Sequence, residues 1–339
     1  MRTLVSADSH VIEPVALWEG VLPEGFWPGD PTASFSGKPG GFDPHARVAE
    51  MEVDGVSAEV LYPSLAMTLF TEQPAVQRAC FARYNDWIAE YCSVAPERLV
   101  GIGLLAVHDI DAAVAEAQRS AELGLRGVMI WQVPPTELAF NSGHYEPLWE
   151  ACSDLGLPVN LHILTGYGYG KEITDHRQAL GRAGDLAFKL IINGKLHAVT
   201  DALTEIVMSG AFDRHPGLRL MLVENEVGWL PFFMDQLDFY YDKFRAQTPV
   251  ELSRMPTEIL RDQVFATFFR DPAAAYVAGV FENIMWSSDY PHSNSTWPDS
   301  QQVVEDRIGH LPEEQVARLV RGTVSDLYHI ELPESSVRA

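Results

Sequence analysis

The sequence predicts an α/β fold, a single (β/α)8 barrel domain over residues 1–339, on three observations. Short apolar runs rich in β-branched residues alternate with longer helical patterns along the whole chain. No Gly-x-Gly-x-x-Gly follows an early strand, which argues against a doubly wound open sheet. Residues able to hold a metal stand at the ends of four apolar runs, where a barrel gathers its chemistry.

The elements follow in order. A strand over Thr3 to Ala7 precedes the irregular stretch Pro14 to Asp43, whose Trp, Pro, Gly and Phe content suits a lid or a dimer contact. Helix Pro44 to Asp54 leads to strand Glu59 to Tyr62, and helix Pro74 to Ala95 to strand Val100 to Ala106. Helix Asp111 to Leu123 precedes Gly127 to Trp131, and helix Tyr145 to Leu155 precedes Val159 to Ile163; Gly124 and Gly156 stand where C-caps need a positive φ. The Gly-rich run Gly166 to Gly170 follows the fifth strand and lacks the Lys-Ser/Thr of a phosphate loop, so it reads as an active-site loop. Helix Gly184 to Phe212 precedes strand Leu218 to Val223, and helix Leu230 to Phe244 precedes strand Val264 to Phe268. Asp271-Pro272 opens a helix to Phe281 as N-cap and first helical residue. Strand Asn283 to Ser287, the irregular stretch Ser293 to Gln302 and helix Pro312 to Tyr328 complete the barrel, with lid-like insertions after strands 1, 5 and 8.

Composition removes several functions. A net charge of -23 over 339 residues opposes a phosphate backbone, so nucleic acid is excluded. Residues Met1 to Asp8 carry no signal-peptide run and no later stretch suits a membrane span, which reads as a cytoplasmic protein with no membrane partner. Cys80, Cys92 and Cys152 lack motif spacing and read as packing residues.

Asp8 and His10 end the first strand, His162 the fifth, Glu224 the sixth and Asp289 the eighth. Two residues apart, Asp8 and His10 point the same way, with Ser9 turned away. Neutral imidazoles and carboxylates suit a divalent ion, so Asp8, His10, His162 and Asp289 are its expected ligands. Asp289 also suits collecting a proton from bound water. Glu224 reads as a general base or further ligand, or as a structural hydrogen-bonding group; it shares a direction with Glu226 if the strand continues. His176 is placed to swing over the mouth as a proton donor, and His292 to line the pocket or support it from behind. Arg270 is positioned to clamp a substrate carboxylate or to pair with Asp271 or Glu282. Trp131 and Tyr167 suit a flat substrate, or pack the barrel. Glu13 is expected to fix the lid loop.

Three segments, Ala7-Asp8-Ser9-His10-Val11-Ile12-Glu13-Pro14, Asn160-Leu161-His162 and Met285-Trp286-Ser287-Ser288-Asp289-Tyr290-Pro291-His292, resemble the amidohydrolase-related family, the group that includes aminocarboxymuconate-semialdehyde decarboxylase and the resorcylate decarboxylases. The resemblance spans nearly the whole chain and includes Gly228-Trp229-Leu230-Pro231-Phe232. It implies one catalytic zinc or manganese and decarboxylation or hydrolysis of a small organic acid, with Asp8-x-His10 as the carboxylate variant of the first-strand signature. One departure matters. Anchored on Pro231-Phe232, the position of the family's sixth-strand catalytic His holds Asn225, and an amide does not exchange protons near neutral pH. The expected function is a metal-dependent hydrolase or carboxy-lyase on a small carboxylated or cyclic compound, assembled as a homodimer. A two-metal iron or manganese oxygenase-like enzyme and an inactive ligand-binding partner subunit are the alternatives.

Overall fold

The computed structural model describes residues 1–27, 29–167, 183–247 and 251–332, without the side chains of 183–195. Nine parallel strands appear among them: β1 Leu4–His10, β2 Val56–Tyr62, β3 Leu99–Gly101, β4 Gly103–Leu104, β5 Val128–Ile130, β6 Val159–His162, β7 Leu220–Val223, β8 Val264–Phe268 and β9 Ile284–Trp286. Hydrogen bonding orders them β1-β2-β3 and β4 through β9 in sequence. Ile102 divides the third stave: its N–H reaches Leu61 O at 3.2 Å, whereas the next N–H, of Gly103, reaches Gly127 O at 3.0 Å. A Cβ at Gly101 would meet Leu125 at 2.9 Å and one at Gly103 would meet Ser120 at 2.8 Å, so glycine lets the helical layer close on this stave. The ring shuts where Asp289 N donates to Asp8 O at 2.9 Å and His10 N to Tyr290 O at 2.6 Å. The result is the eight-stave parallel barrel the alternation predicts.

The helices are α1 Pro44–Asp54, α2 Pro74–Cys92, α3 Ile110–Glu122, α4 Glu146–Leu155, α5 Ala183–Met208, α6 Ala211–Arg214, α7 Leu230–Phe244, α8 Pro256–Gln263, α9 Ala274–Val277, α10 Ser300–Ile308, α11 Glu313–Ala317 and α12 Thr323–Tyr328, the last two joined by a π turn. Asp43 caps α1 by accepting from Ala46 N at 2.7 Å, Pro44 opens it, and Gly55 ends it at φ 71°. None among the described residues is long and apolar enough to cross a membrane.

Several boundaries depart from the sequence reading. The helix expected from Gly184 to Phe212 is interrupted at Gly210, whose φ of 76° lies in the left-handed region. The one expected from Pro272 to Phe281 is reduced to Ala274–Val277. Helix α8 was not expected; Glu258 caps it by accepting from Met255 N at 2.9 Å. Helix α10 begins inside the stretch read as irregular.

The strands are almost entirely buried. In the lumen, Tyr62 and Tyr328 both donate to Asn160 Oδ1, at 2.8 and 2.6 Å. The stretch after β1 reaches the end of the last stave, where Lys38 Nζ donates to Pro291 O at 2.7 Å and to His292 O at 2.9 Å. The counterpart after β6 falls largely at 168–182, outside the described residues.

Candidate metal centre

Strand β1 advances three residues, Ser6 to Ser9, while its partner β2 advances two, Glu59 to Leu61. This local bulge sits at the ligand-bearing end of the strand. Asp8 and His10 still meet one centre, with His10 Nε2 3.5 Å from Asp8 Oδ1. Ser9 turns away as expected, its hydroxyl 3.3 Å from Glu59 Oε1. His162, last residue of β6, brings Nε2 to 3.7 Å from Asp8 Oδ1, and Asp289 brings Oδ1 to 3.5 Å from His10 Nε2. Glu224 Oε2 lies 4.0 Å from His162 Nε2. Two overlapping groups result, Asp8 with His10, His162 and Glu224, and His10 with Glu224, Asp289 and His292; within each, the candidate ligand atoms lie within 4.8 Å of one another.

The hydrogen-bond inventory shows that a cation fits here. Both carboxylate oxygens of Asp8 and of Asp289, and Nε2 of His10 and of His162, are buried without a hydrogen-bond partner. Such groups are costly unless a charge balances them. Each imidazole is also set in the right tautomer. His10 Nδ1 meets Pro63 O at 2.7 Å and His162 Nδ1 meets Ile163 O at 2.9 Å; a carbonyl only accepts, so Nδ1 carries the proton and Nε2 presents a lone pair to the centre. Burial raises the Asp8 and Asp289 carboxyls above the usual range and pushes His10 well below its ordinary value. Burial pulls His162 down as well, but the adjacent Asp8 carboxylate outweighs it and leaves the net shift upward.

Three supports hold this arrangement. Glu13 is fully buried and accepts from the backbone N–H groups of Ser64, Leu65 and Ala66 at 3.1, 2.9 and 2.9 Å. That turn carries Pro63 O, so Glu13 fixes the acceptor that orients His10, and the loop it secures is the one after β2. Arg47, fully buried against Glu59, donates to His10 O at 2.7 Å and to Tyr290 O at 3.4 Å, joining two ligand-bearing strand ends. His292 stacks on His10 at 4.0 Å; its Nδ1 lies 2.9 Å from Asp289 Oδ1 without hydrogen-bond alignment, and its Nε2 lies 3.2 Å from Ser64 Oγ.

The remaining candidates separate. Glu224 joins the centre, but β7 ends at Val223 and both Glu224 and Glu226 take positive φ, 61° and 55°, so strand alternation no longer relates them. Glu226 accepts from Phe269 N at 3.4 Å. Asn225 is buried and pinned, accepting from Gln132 Nε2 at 3.0 Å and donating to Val223 O at 2.8 Å. Gln132 thus joins the strand ends of β5 and β7, and its neighbour Trp131 is fully buried, with its indole donating to Tyr145 OH at 2.8 Å. Arg270 is exposed and donates to Ser295 O at 2.9 Å, bracing the loop after β9, and forms no ion pair with Asp271 or Glu282. Tyr167 is partly exposed, its hydroxyl 3.4 Å from Nε2 of His108, whose ring meets Trp131 edge-on at 4.7 Å. His108 had no sequence signal beyond following the third stave. His176 lies outside the described residues.

Residues 17–330 match the family model described as amidohydrolase. Gamma-resorcylate decarboxylase of Rhodococcus jostii (strain RHA1) is 26% identical over 246 residues, covering 67% of this chain and 72% of that protein. The structure of 5-carboxyvanillate decarboxylase from Sphingomonas paucimobilis superposes with a TM-score of 0.78 at 23% identity, over 97% of this chain and 99% of that one. Dihydroxybenzoic acid decarboxylase from Polaromonas sp. JS666, solved with bound manganese and 2-nitroresorcinol, gives a TM-score of 0.75 at 19% identity, over 98% and 99% of the two chains.

Proposed function

The chain belongs to the amidohydrolase family, and from that premise we propose that it is a one-domain, divalent-metal-dependent carboxy-lyase acting on a hydroxylated aromatic carboxylic acid. The observation that carries the reading is the set of buried, unpartnered ligand atoms on Asp8, His10, His162 and Asp289. These four residues would hold the ion, with Glu224 beside them; two imidazoles with carboxylates accept zinc or manganese. When bound, the ion polarises the substrate's oxygens and neutralises their charge. The substrate class follows the relatives that act on gamma-resorcylate and 5-carboxyvanillate.

Decarboxylation breaks the bond between the ring carbon and its carboxylate, releases CO2 and places a proton on that carbon. Asn225 cannot supply this proton. We assign it to His292, whose ring is stacked against His10, with Asp289 beside Nδ1 and the Ser64 hydroxyl beside Nε2. Its side chain retains 22% exposure, which gives the imidazole a route to recover a proton from solvent. Tyr167 and His108 flank the mouth as the aromatic contacts for the ring. Asn225 in the place of an imidazole also supports a second reading, hydrolysis, in which Asp289 takes a proton from an attacking water. A homodimer completes the proposal.

Carboxyl-labelled hydroxybenzoates, with 2,6-dihydroxybenzoate and 5-carboxyvanillate among them, test the reading on protein supplied with zinc or manganese. Labelled CO2 that disappears on chelation is expected. Metal-loaded protein that releases none from any of them, yet opens esters or lactones, would establish the hydrolase instead.

A further inference from the structure

Helix α7 packs Leu230, Met234 and Tyr241 inward, and a surface helix normally covers the opposite stripe with charge. Here the outer stripe is aromatic: Phe232 is 73% exposed, Phe239 57%, Tyr240 50% and Phe244 48%. On a chain of net charge -23, four exposed aromatic rings on one helix mark a contact surface rather than a solvated one. The rings are ordered among themselves, Tyr240 and Phe244 lying parallel within 2° and Phe239 meeting Tyr240 edge-on at 5.1 Å. Lys243 Nζ stands 5.2 to 5.9 Å from three of their centroids.

The charges on this stripe say what covers it. Asp235, Phe239 and Lys243 follow one another at four-residue spacing, forming a ridge that reads acidic, aromatic, basic. Neither Asp235 nor Lys243 has an ion-pair partner among the described residues; Asp235 only accepts from Gln236 Nε2 at 3.0 Å. Laid antiparallel on itself, such a ridge is complementary: with Phe239 at the two-fold axis, Asp235 of each helix faces Lys243 of the other, twice. A partner of uniform charge would satisfy one end and oppose the other.

We propose that the outer face of α7 is the interface with a second copy of this chain, the two helices crossing antiparallel at Phe239 with reciprocal Asp235–Lys243 pairs. This rests on the homodimer reading above and names its surface and register. Both charged residues are exposed, on a helix that carries none of the residues of the metal centre, so their substitution leaves folding and basal activity in place.

Sedimentation velocity over a concentration series, on wild type, Asp235→Lys, Lys243→Asp and the double swap, tests it. Wild type is expected to be dimeric. Each single reversal sets like charges against each other and raises the dimer dissociation constant about tenfold or more, and the double swap restores it to within about threefold of wild type. A dimer indifferent to both single reversals overturns this surface while leaving the homodimer standing. Weakened singles that the double swap does not rescue overturn the antiparallel register. A wild-type monomer at every concentration overturns both readings.

Discussion

His162 Nε2 lies 3.7 Å from Asp8 Oδ1, although β6 and β1 stand on opposite walls of the eight-stave ring. No local element brings these residues together. They meet only when the ring closes, at the hydrogen bonds between the last stave and the first, so the ion site and barrel closure form one unit. A bound divalent ion therefore stabilises the closed ring by mass action, about 2.7 kcal/mol at a hundredfold excess over its dissociation constant.

Glu13 acts through the turn at Ser64 to Ala66, and its removal strands three backbone donors. Glu13→Ala is expected to lower the melting temperature, at a cost of about 2 kcal/mol or more, and to weaken metal binding about tenfold, because Pro63 O no longer holds His10 in register. Competition titration with a metal indicator reads the second effect. A variant that melts early yet binds metal like wild type would show Glu13 to be a loop anchor with no bearing on His10.

Arg47 and Glu59 are both almost fully buried, and Arg47→Met leaves a carboxylate without its cation. We expect a loss of about 3–5 kcal/mol in denaturant unfolding, with much of it recovered in Arg47→Met combined with Glu59→Leu. If the single variant is as stable as the double, the pair is not the element that joins the ends of the first and last staves.

His292→Asn removes the proposed proton donor while leaving Asp8, His10, His162 and Asp289 in place. The turnover number should fall about a hundredfold or more, with KM changed only a few-fold and metal content intact. Loss of the metal itself would make His292 a ligand rather than an acid.

Burial pushes the thiol of Cys80 up to about 11 and those of Cys92 and Cys152 up to about 12. The thiolate is the reactive form, and at pH 8 a thiol of that pKa is ionised about one part in a thousand or less. Native protein at pH 8 should leave all three unmodified by a disulfide reagent over minutes, whereas denatured protein releases three equivalents. Rapid modification of the native chain would place at least one cysteine outside the packed core.

Much of the barrel and its ion site was legible because period and position carried them. Helices α1 and α7 and strand β8 begin and end where proline, capping residues and apolar period place them. The convergence of Asp8, His10, His162 and Asp289 was legible because a barrel aims its strand ends at one point. The misses share a cause: they depend on backbone turns that no periodicity encodes. Glu224, Glu226 and Asp289 all take positive φ without being glycine, so alternation stops at the strand end and could not relate Glu224 to Glu226. Trp131 stands past the end of β5, where period no longer predicts a partner, and its indole is taken up by Tyr145 OH. Arg270 stood at a strand end but found backbone carbonyls in the following loop instead of a ligand. His108 lies past the third stave in a segment without a motif.

Metal analysis by inductively coupled plasma mass spectrometry, on protein prepared without chelator and compared with His162→Ala, tests the central claim most directly. One equivalent of zinc or manganese per chain in wild type, reduced to about a tenth or less in the variant, is the predicted result. Full metal content in folded His162→Ala, or two equivalents including iron in wild type, would contradict a single ion held between Asp8, His10, His162 and Asp289.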